Sequence, residues 1–407
     1  MKEKIAVVTT GYFPVPATRG GAVEALVENL IDENEEEKKL MFHIFSSYDE
    51  KAVEFSKKYK NTTFSFIKTP KIIQLLDLMI YFICTKILRK SKGMSYRYIL
   101  QRLHFIDKVS VALKKNDYDK VVLENHATLF MTLKKRKNYL KYAGRYYYHL
   151  HNVVKSMYGC EEVILNTHKV LGVSNYINGT LKDTVGDSTI KYDVLRNKID
   201  SEKFRRKLTV ERQKELKRRF NIKDDELVVL FSGRLNKEKG IKELLLAWKQ
   251  VPDIKAKLLI VGSYYFGSGM KSPYEEEIKE LADQMKDRVV FSGFINYEEM
   301  PDILALADIV AAPSMWDEPA ALTIIEALSA YKPLITTNTG GTPEYAERGS
   351  SIILEPDAKI SDNIAHALRM LANDEQKREQ MTELLKQKTK GWGTKEFYND
   401  FVTKLED

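Results

Sequence analysis

Four short stretches carry residue types whose spacing could do chemistry. The first is FSGRLNKEKGIKELLLAW (231–248). An apolar run ends at Gly233, Arg234 and Lys239 sit on the following loop, and Gly240 opens a helical pattern. Two cations beside a helix N-terminus suit a diphosphate. Arg can fork onto two oxygens, and Lys supplies a mobile point charge. The plain alternative is a solvated basic loop. The second stretch is PSMWDEPAALTIIEALSAYKP (313–333). Glu318 lies just before an expected helix and Glu326 within it. Eight helical residues separate two carboxylates by roughly 12 Å. That separation matches hydroxyl groups on either side of a diphosphate. Backbone N–H groups at the helix start, from Ala320 through Ala321 and Leu322 to Thr323, can point at phosphates between them. The plain alternative makes Glu318 a first-turn helix acid and Glu326 a surface residue, but LTIIEALS is too apolar for a merely solvated glutamate.

The third stretch, GYFPVPATRGGAVEAL (11–26), follows the first apolar run. Gly20 and Gly21 let backbone approach a phosphate closely. This is not GxGxxG, and an ordinary strand-to-helix turn fits equally well. The fourth is YYYHLHNV (147–154). Strand alternation puts His149 and His151 on one face. His149 reads as a core histidine. His151 falls at the strand end, where α/β sites form, with Asn152 behind it, although a structural role also fits. His126, in ENHATLF after another strand, is a candidate for acceptor binding together with Asn152.

These residues need elements to position them, and the chain alternates apolar strands with amphipathic helices almost to its end. That pattern predicts α/β architecture with parallel sheets. Strands are expected at IAVVTT (5–10), MFHIFSS, FSFIK, KVVLEN, RYYYHLH (145–151) and KVLGVS. A second series runs LVVLFSG, LLIVG, VVFSG, IVAAPS, PLITT and SIILEP. With 407 residues, two domains are expected. The polar stretch LRNKIDSEKFRRKL places the boundary near residue 197. The predicted division is 1–197, 198–390 and a terminal helix, 391–407, with Trp392, Phe397, Tyr398, Phe401 and Leu405 near one face.

Composition narrows the function classes. Hydrophobic residues are 43%, charged residues 30% and the formal net charge is +8, which suits an anionic partner without choosing one. Two cysteines, Cys84 and Cys160, make no disulfide framework and fit a reducing, cytoplasmic setting. No Cys/His metal-ligand spacing is evident. MKEKIAVVTTGYF lacks the apolar core of a signal peptide. The longest apolar stretch, 71–90, is broken by Asp77 and Lys86 and reads as no transmembrane helix. The basic, apolar segment 71–98, with Arg89, Lys90, Lys92 and Arg97, could instead lie on an anionic membrane surface; a core-packed helix with a solvated end is the alternative. No recognition-helix, RNP or zinc-finger pattern supports nucleic-acid binding.

Taken in order, GGAVE, the strand-terminal His151, GRLNKEKG, the E-x7-E pair Glu318/Glu326 and TNTGGTPE resemble the large family-four retaining glycosyltransferases, whose fold is called GT-B. The resemblance covers nearly the whole chain. It implies two Rossmann-like domains facing a cleft, an acceptor-binding N-terminal domain, a nucleotide-sugar-binding C-terminal domain, and a terminal helix crossing back to the first. It further implies that Arg234 and Lys239 grip the donor diphosphate. Glu326 then holds the ribose and Glu318 the transferred sugar. Gly20 and Gly21 lie against the distal phosphate, and His151 stands beside the sugar. No cofactor or metal is implied, since two cations and a helix N-terminus can stand in for Mg²⁺. The implied reaction moves a hexose, from a UDP-sugar by preference, to a glycan or lipid-linked acceptor in cell-surface polysaccharide synthesis. A sugar-nucleotide epimerase of the same fold and a non-enzymatic nucleic-acid-binding protein are the alternatives. Three departures bear on donor identity: PAALT after Glu318 replaces an aromatic–Gly pair, Tyr331 stands where Gly is usual, and Lys198 replaces Gly in NKID.

Overall fold

The computed structural model describes residues 2–88, 97–186, 188–262 and 273–406. The chain divides into two units, Met1–Arg196 with Phe397–Asp407, and Asn197–Glu396.

The first unit is built on seven strands: β1 (Glu3–Val8), β2 (Leu40–Ser47), β3 (Thr62–Ile67), β4 (Lys120–Glu124), β5 (Tyr146–Leu150), β6 (Lys169–Gly172) and β7 (Lys191–Val194). They form one parallel sheet in the order β3-β2-β1-β4-β5-β6-β7. Strands such as KVVLE and YYYHL are apolar on both faces, as strands covered from both sides must be. The last strand, KYDV, lacks an apolar run, because as an edge strand only one neighbour, β6, pairs with it. For that reason periodicity gives no sign of it.

The second unit repeats the scheme with β8 (Leu227–Ser232), β9 (Ala256–Val261), β10 (Val289–Gly293), β11 (Ile309–Ala312), β12 (Leu334–Thr337) and β13 (Ser351–Leu354). Its parallel order is β10-β9-β8-β11-β12-β13. Alternation along β8 fills two cores: Val229 and Phe231 pack with Leu244 and Trp248 on one face. Val228 and Leu230 pack with Ile324 and Leu328 on the other. In both sheets the chain starts centrally, winds to one edge, then returns to the other side. The order reverses between β1 and β4, and between β8 and β11. A crevice must open there, outside the carboxyl ends of those strands, and it is where open α/β sheets bind ligands.

The terminal helix Thr394–Glu406 buries Phe397, Phe401 and Leu405 against Ile5, Val7 and Leu30 in the core of the first unit. Tyr147 donates to the Leu405 carbonyl at 2.9 Å and Tyr398 to Asn34 at 2.6 Å. Trp392 departs from the expected apolar face: it precedes the helix and packs edge-on against Tyr345 in the second unit.

The helix Lys71–Phe82 and the π-helical turn Ile83–Ile87 are exposed along most of their length. Ile72, Leu75, Met79, Phe82, Ile83 and Ile87 all face solvent. The one buried side chain of the helix is Asp77. Its carboxylate accepts from the backbone N–H groups of Leu100 and Gln101, both at 2.9 Å. It thereby satisfies the unpaired donors that begin the helix Ile99–Lys115. Among the described residues no helix is long and apolar enough to cross a membrane. Arg89, Lys90 and Lys92 lie outside the described residues.

Candidate functional site

In the second unit, β8 ends at Ser232 and a short turn carries Arg234 and Lys239 to the helix Ile241–Lys249. Gly240 makes this turn possible: its φ is 68°, and a Cβ there would stand 1.8 Å from the Pro313 carbonyl oxygen. Only glycine tolerates both. The close approach brings the β8 loop against the β11 loop. There Lys239 Nζ meets Glu318 Oε1 at 2.5 Å, and Ser314 Oγ donates to the same oxygen at 2.9 Å. Ser232, Lys239, Ser314, Glu318, Ala321 and Thr323 line one recess. Ala321 caps the helix Leu322–Ser329 with no side-chain hydrogen bond, so its first N–H groups are left to serve a ligand. Arg234 is half-exposed, with Glu238 3.9 Å away.

Glu326 lies on the second turn of the helix Leu322–Ser329 and is buried. Burial pushes its carboxyl up to about 7, and a hydrogen bond from the Tyr297 hydroxyl partly offsets that rise. Ser314 and Tyr297 therefore belong to the site, and sequence reasoning missed both. Ser314 carried no separate signal within PSMWDE. Tyr297 reaches Glu326 from another loop, which spacing along the chain cannot reveal.

In the first unit, Gly21 caps the helix Ala22–Glu37 with φ 108°. A Cβ there would come 2.3 Å from Glu24 Oε2. Gly20 also has positive φ, in open space. Glu24 is buried, accepts from Thr10 Oγ1 at 2.6 Å, and is pushed above the usual carboxylate range by burial. His149 and His151 lie side by side, ring centroids 4.0 Å apart. Between β4 and β5 they share the fully buried Glu124: Oε2 is 3.0 Å from His149 Nδ1 and 3.1 Å from His151 Nε2. The imidazoles hold Glu124 down at about 2 despite its burial. Burial and the neighbouring His149 hold His151 down at about 4, so it is neutral near pH 7.

Glu124, His149 and His151 also form, among the described residues, a group whose ligand atoms lie close enough together to hold a metal ion. The expectation of no metal-ligand grouping came from spacing along the chain. Here β4 and β5 bring the three side chains together, which spacing along the chain does not show. The signal available was an acid ending the apolar strand KVVLE. Asn152 donates to Asn125 at 3.0 Å. His126 accepts the Thr128 backbone N–H through Nδ1 at 3.2 Å. The structure thus gathers Lys239, Glu318, Ala321 and Thr323 in one recess and His151 with Glu124 in another place. Gly20, Gly21, His126 and Asn152 stand on loops after β1, β4 and β5.

Residues 212–388 match the family described as Glycosyl transferases group 1. Over those residues, which lie in the second unit, the chain is similar to the group 1 glycosyl transferases. The chain is 26% identical to spore coat protein SA of Bacillus subtilis, over 93% of this chain and 92% of that protein. It is 25% identical to the lipopolysaccharide 1,2-N-acetylglucosaminetransferase of Salmonella typhimurium, over 63% of this chain and 64% of that one. Among solved structures it resembles HepE of Anabaena, crystallised in complex with UDP, at 18% identity. The match covers 100% of both chains with a TM-score of 0.72. The chain therefore has the GT-B fold.

Proposed function

We propose that this protein is a glycosyltransferase that moves a hexose, with retention of anomeric configuration, from a nucleotide-diphosphate sugar to a hydroxyl of a glycan or lipid-linked acceptor. The observation that carries the reading is the recess at the β8/β11 reversal. Lys239, the Glu318 carboxylate and a helix N-terminus without a side-chain cap meet there, and Glu326 lies buried on that same helix.

Arg234, Lys239 and the N–H groups from Ala321 through Leu322 to Thr323 take the donor diphosphate, with Gly20 and Gly21 against its distal phosphate. Lys239 leaves Glu318 to do so, and Glu318 then accepts from a sugar hydroxyl. Glu326, once ionised, accepts from the ribose hydroxyls. As the C1–O bond breaks, its electron pair goes to the leaving phosphate oxygen, whose charge the two cations stabilise. The acceptor hydroxyl oxygen bonds to C1 on the same face, and its proton goes to that phosphate oxygen. His151, neutral, positions the sugar as a hydrogen-bonding group rather than as an acid. Asn152 and His126 stand on the acceptor side. No metal or other cofactor takes part in this scheme. UDP is the favoured nucleotide, in keeping with the UDP complex of HepE.

The acceptor side is in keeping with a lipid carrier at the inner face of an anionic membrane. Lys68, Lys71 and Lys86 flank the exposed apolar helix, and the only acid from 68 to 88, Asp77, is buried. Each cation near such a surface contributes about 1 kcal/mol. Cell-surface polysaccharide synthesis is the setting this suits. Saturation-transfer NMR against a panel of UDP-, GDP- and dTDP-sugars, repeated with Glu326→Ala, tests the reading. Selective binding of one donor, lost in the variant, is expected. Absence of binding to every donor would remove the proposal's main support.

A further inference from the structure

Among the described residues, Arg102 is a cation held without an acid. It stands in the first turn of the helix Ile99–Lys115. Its Nη1 donates to Thr128 Oγ1 at 2.6 Å, and its guanidinium carbon lies 3.7 Å from the centroid of the Tyr12 ring. Nη2 is buried with no hydrogen-bond partner. Among the described residues no carboxylate forms an ion pair with Arg102, and the sequence from 89 to 96 contains no acid. Buried charges are ordinarily paired, because desolvation is expensive. Here no such partner is found among the described residues.

The neighbours are donors. Thr128 Oγ1, having accepted from Arg102, donates its own proton to His126 Nδ1 at 2.8 Å. The proton on neutral His126 therefore sits on Nε2, which becomes a donor. Tyr12 and Tyr158 flank His126, with ring centroids 6.2 and 5.8 Å from it, and both are half-exposed. The loops concerned follow β1, β4 and β5, at the sheet's ligand-binding edge. A guanidinium, an imidazole N–H and two phenol hydroxyls with no acid among them make an anion site. Asp77 anchors the N-terminus of this same helix to the exposed apolar helix Lys71–Phe82.

We propose that Arg102, with His126, Tyr12 and Tyr158, binds a phosphate oxyanion of the acceptor, whose lipid chain runs along the apolar helix Lys71–Phe82. This rests on the lipid-linked acceptor proposed above and names the group recognised. The test compares farnesyl diphosphate, farnesol and inorganic pyrophosphate by calorimetry on the full chain. The variants are Arg102→Gln, Arg102→Lys, Leu75→Asp and, as a donor-site control, Lys239→Gln. Farnesyl diphosphate is expected to bind at least about tenfold more tightly than farnesol, as one charged hydrogen-bonded contact allows. Arg102→Gln abolishes that ratio, Arg102→Lys keeps part of it, and Lys239→Gln leaves it standing. If the glutamine variant fails to fold, the lysine variant's reduced ratio decides.

Dependence on both Arg102 and Leu75 identifies the lipid-linked source. Arg102-dependent binding of pyrophosphate that matches farnesyl diphosphate would overturn the lipid assignment in favour of a free phosphate. An unchanged ratio in both Arg102 variants would overturn the site itself. Donor binding measured on the same samples separates this failure from that of the proposed function: a protein that binds its donor but ignores Arg102 loses only this site.

Discussion

Replacing Glu326 with Gln should make the unliganded protein more stable and its donor site worse. Burial raises the Glu326 carboxyl from 4.5 to about 7. The folded chain therefore holds a proton there that the unfolded chain has already released between those values. Stability contributed by this group is present below pH 4.5 and is lost as the pH rises through 7. A rise of that size corresponds to roughly 3 kcal/mol. Glutamine keeps an oxygen for the Tyr297 hydroxyl but carries no charge to bury. At pH 5 the two proteins should differ by less than about 1 kcal/mol. At pH 8 Glu326→Gln should be more stable by up to about 3 kcal/mol in the unfolding transition of the second unit. Donor binding should move the other way. Wild-type affinity rises with pH up to about 7, where the carboxylate becomes available to ribose hydroxyls. The variant stays weak and flat. Denaturant unfolding and donor titrations at pH 5, 6, 7 and 8 measure both. Parallel stability profiles for the two proteins would refute the buried-charge account, whatever the binding data show.

Three further outcomes follow from contacts already described. Lys239→Met should lower the transfer rate about a hundredfold at saturating donor, as removal of one preorganised charge-stabilising group does; an unchanged rate in a single-turnover assay would remove Lys239 from the chemistry. Leu75→Asp should weaken binding to phosphatidylglycerol vesicles at low salt by about tenfold, since it takes one buried Leu away from the bilayer. Donor affinity should not move, and co-sedimentation with equal vesicle binding would count against the apolar helix. Asp77→Ala should destabilise the first unit by about 1–2 kcal/mol, the usual range for a lost helix cap. Thermal unfolding checks this, and an unaltered transition would show that water serves Leu100 and Gln101 equally well.

The sheets were legible because their strands are apolar on both faces, and such runs have few other uses. The edge strand Lys191–Val194 was not legible, because a strand with one neighbour needs no such run. In the candidate site, Gly240, Lys239 and Glu318 could be placed near a strand end from order along the chain. Their meeting depends on the Pro313 carbonyl lying where a Cβ at 240 would be. Glu124 shows the limit most plainly. In sequence it is one acid at a strand end, and its role appears only when β5 lies next to β4 and sets two imidazoles against it. Tyr297 is hidden for the same reason, being near Glu326 in space and 29 residues away in sequence.

The helix Thr394–Glu406 has a consequence for synthesis. Phe397, Phe401 and Leu405 complete a core whose other members, Ile5, Val7 and Leu30, leave the ribosome first. The whole second unit, Asn197–Glu396, is translated in between. At about 5–20 residues per second, the N-terminal sheet waits roughly 10–40 seconds with part of one apolar face uncovered. The second unit can close before the first is finished, so the usual order of folding along a nascent chain is inverted here. During that interval the uncovered face is a natural client surface for chaperones. A stop codon just before Phe397 would leave the earlier-made half of the protein, not the later one, permanently incomplete.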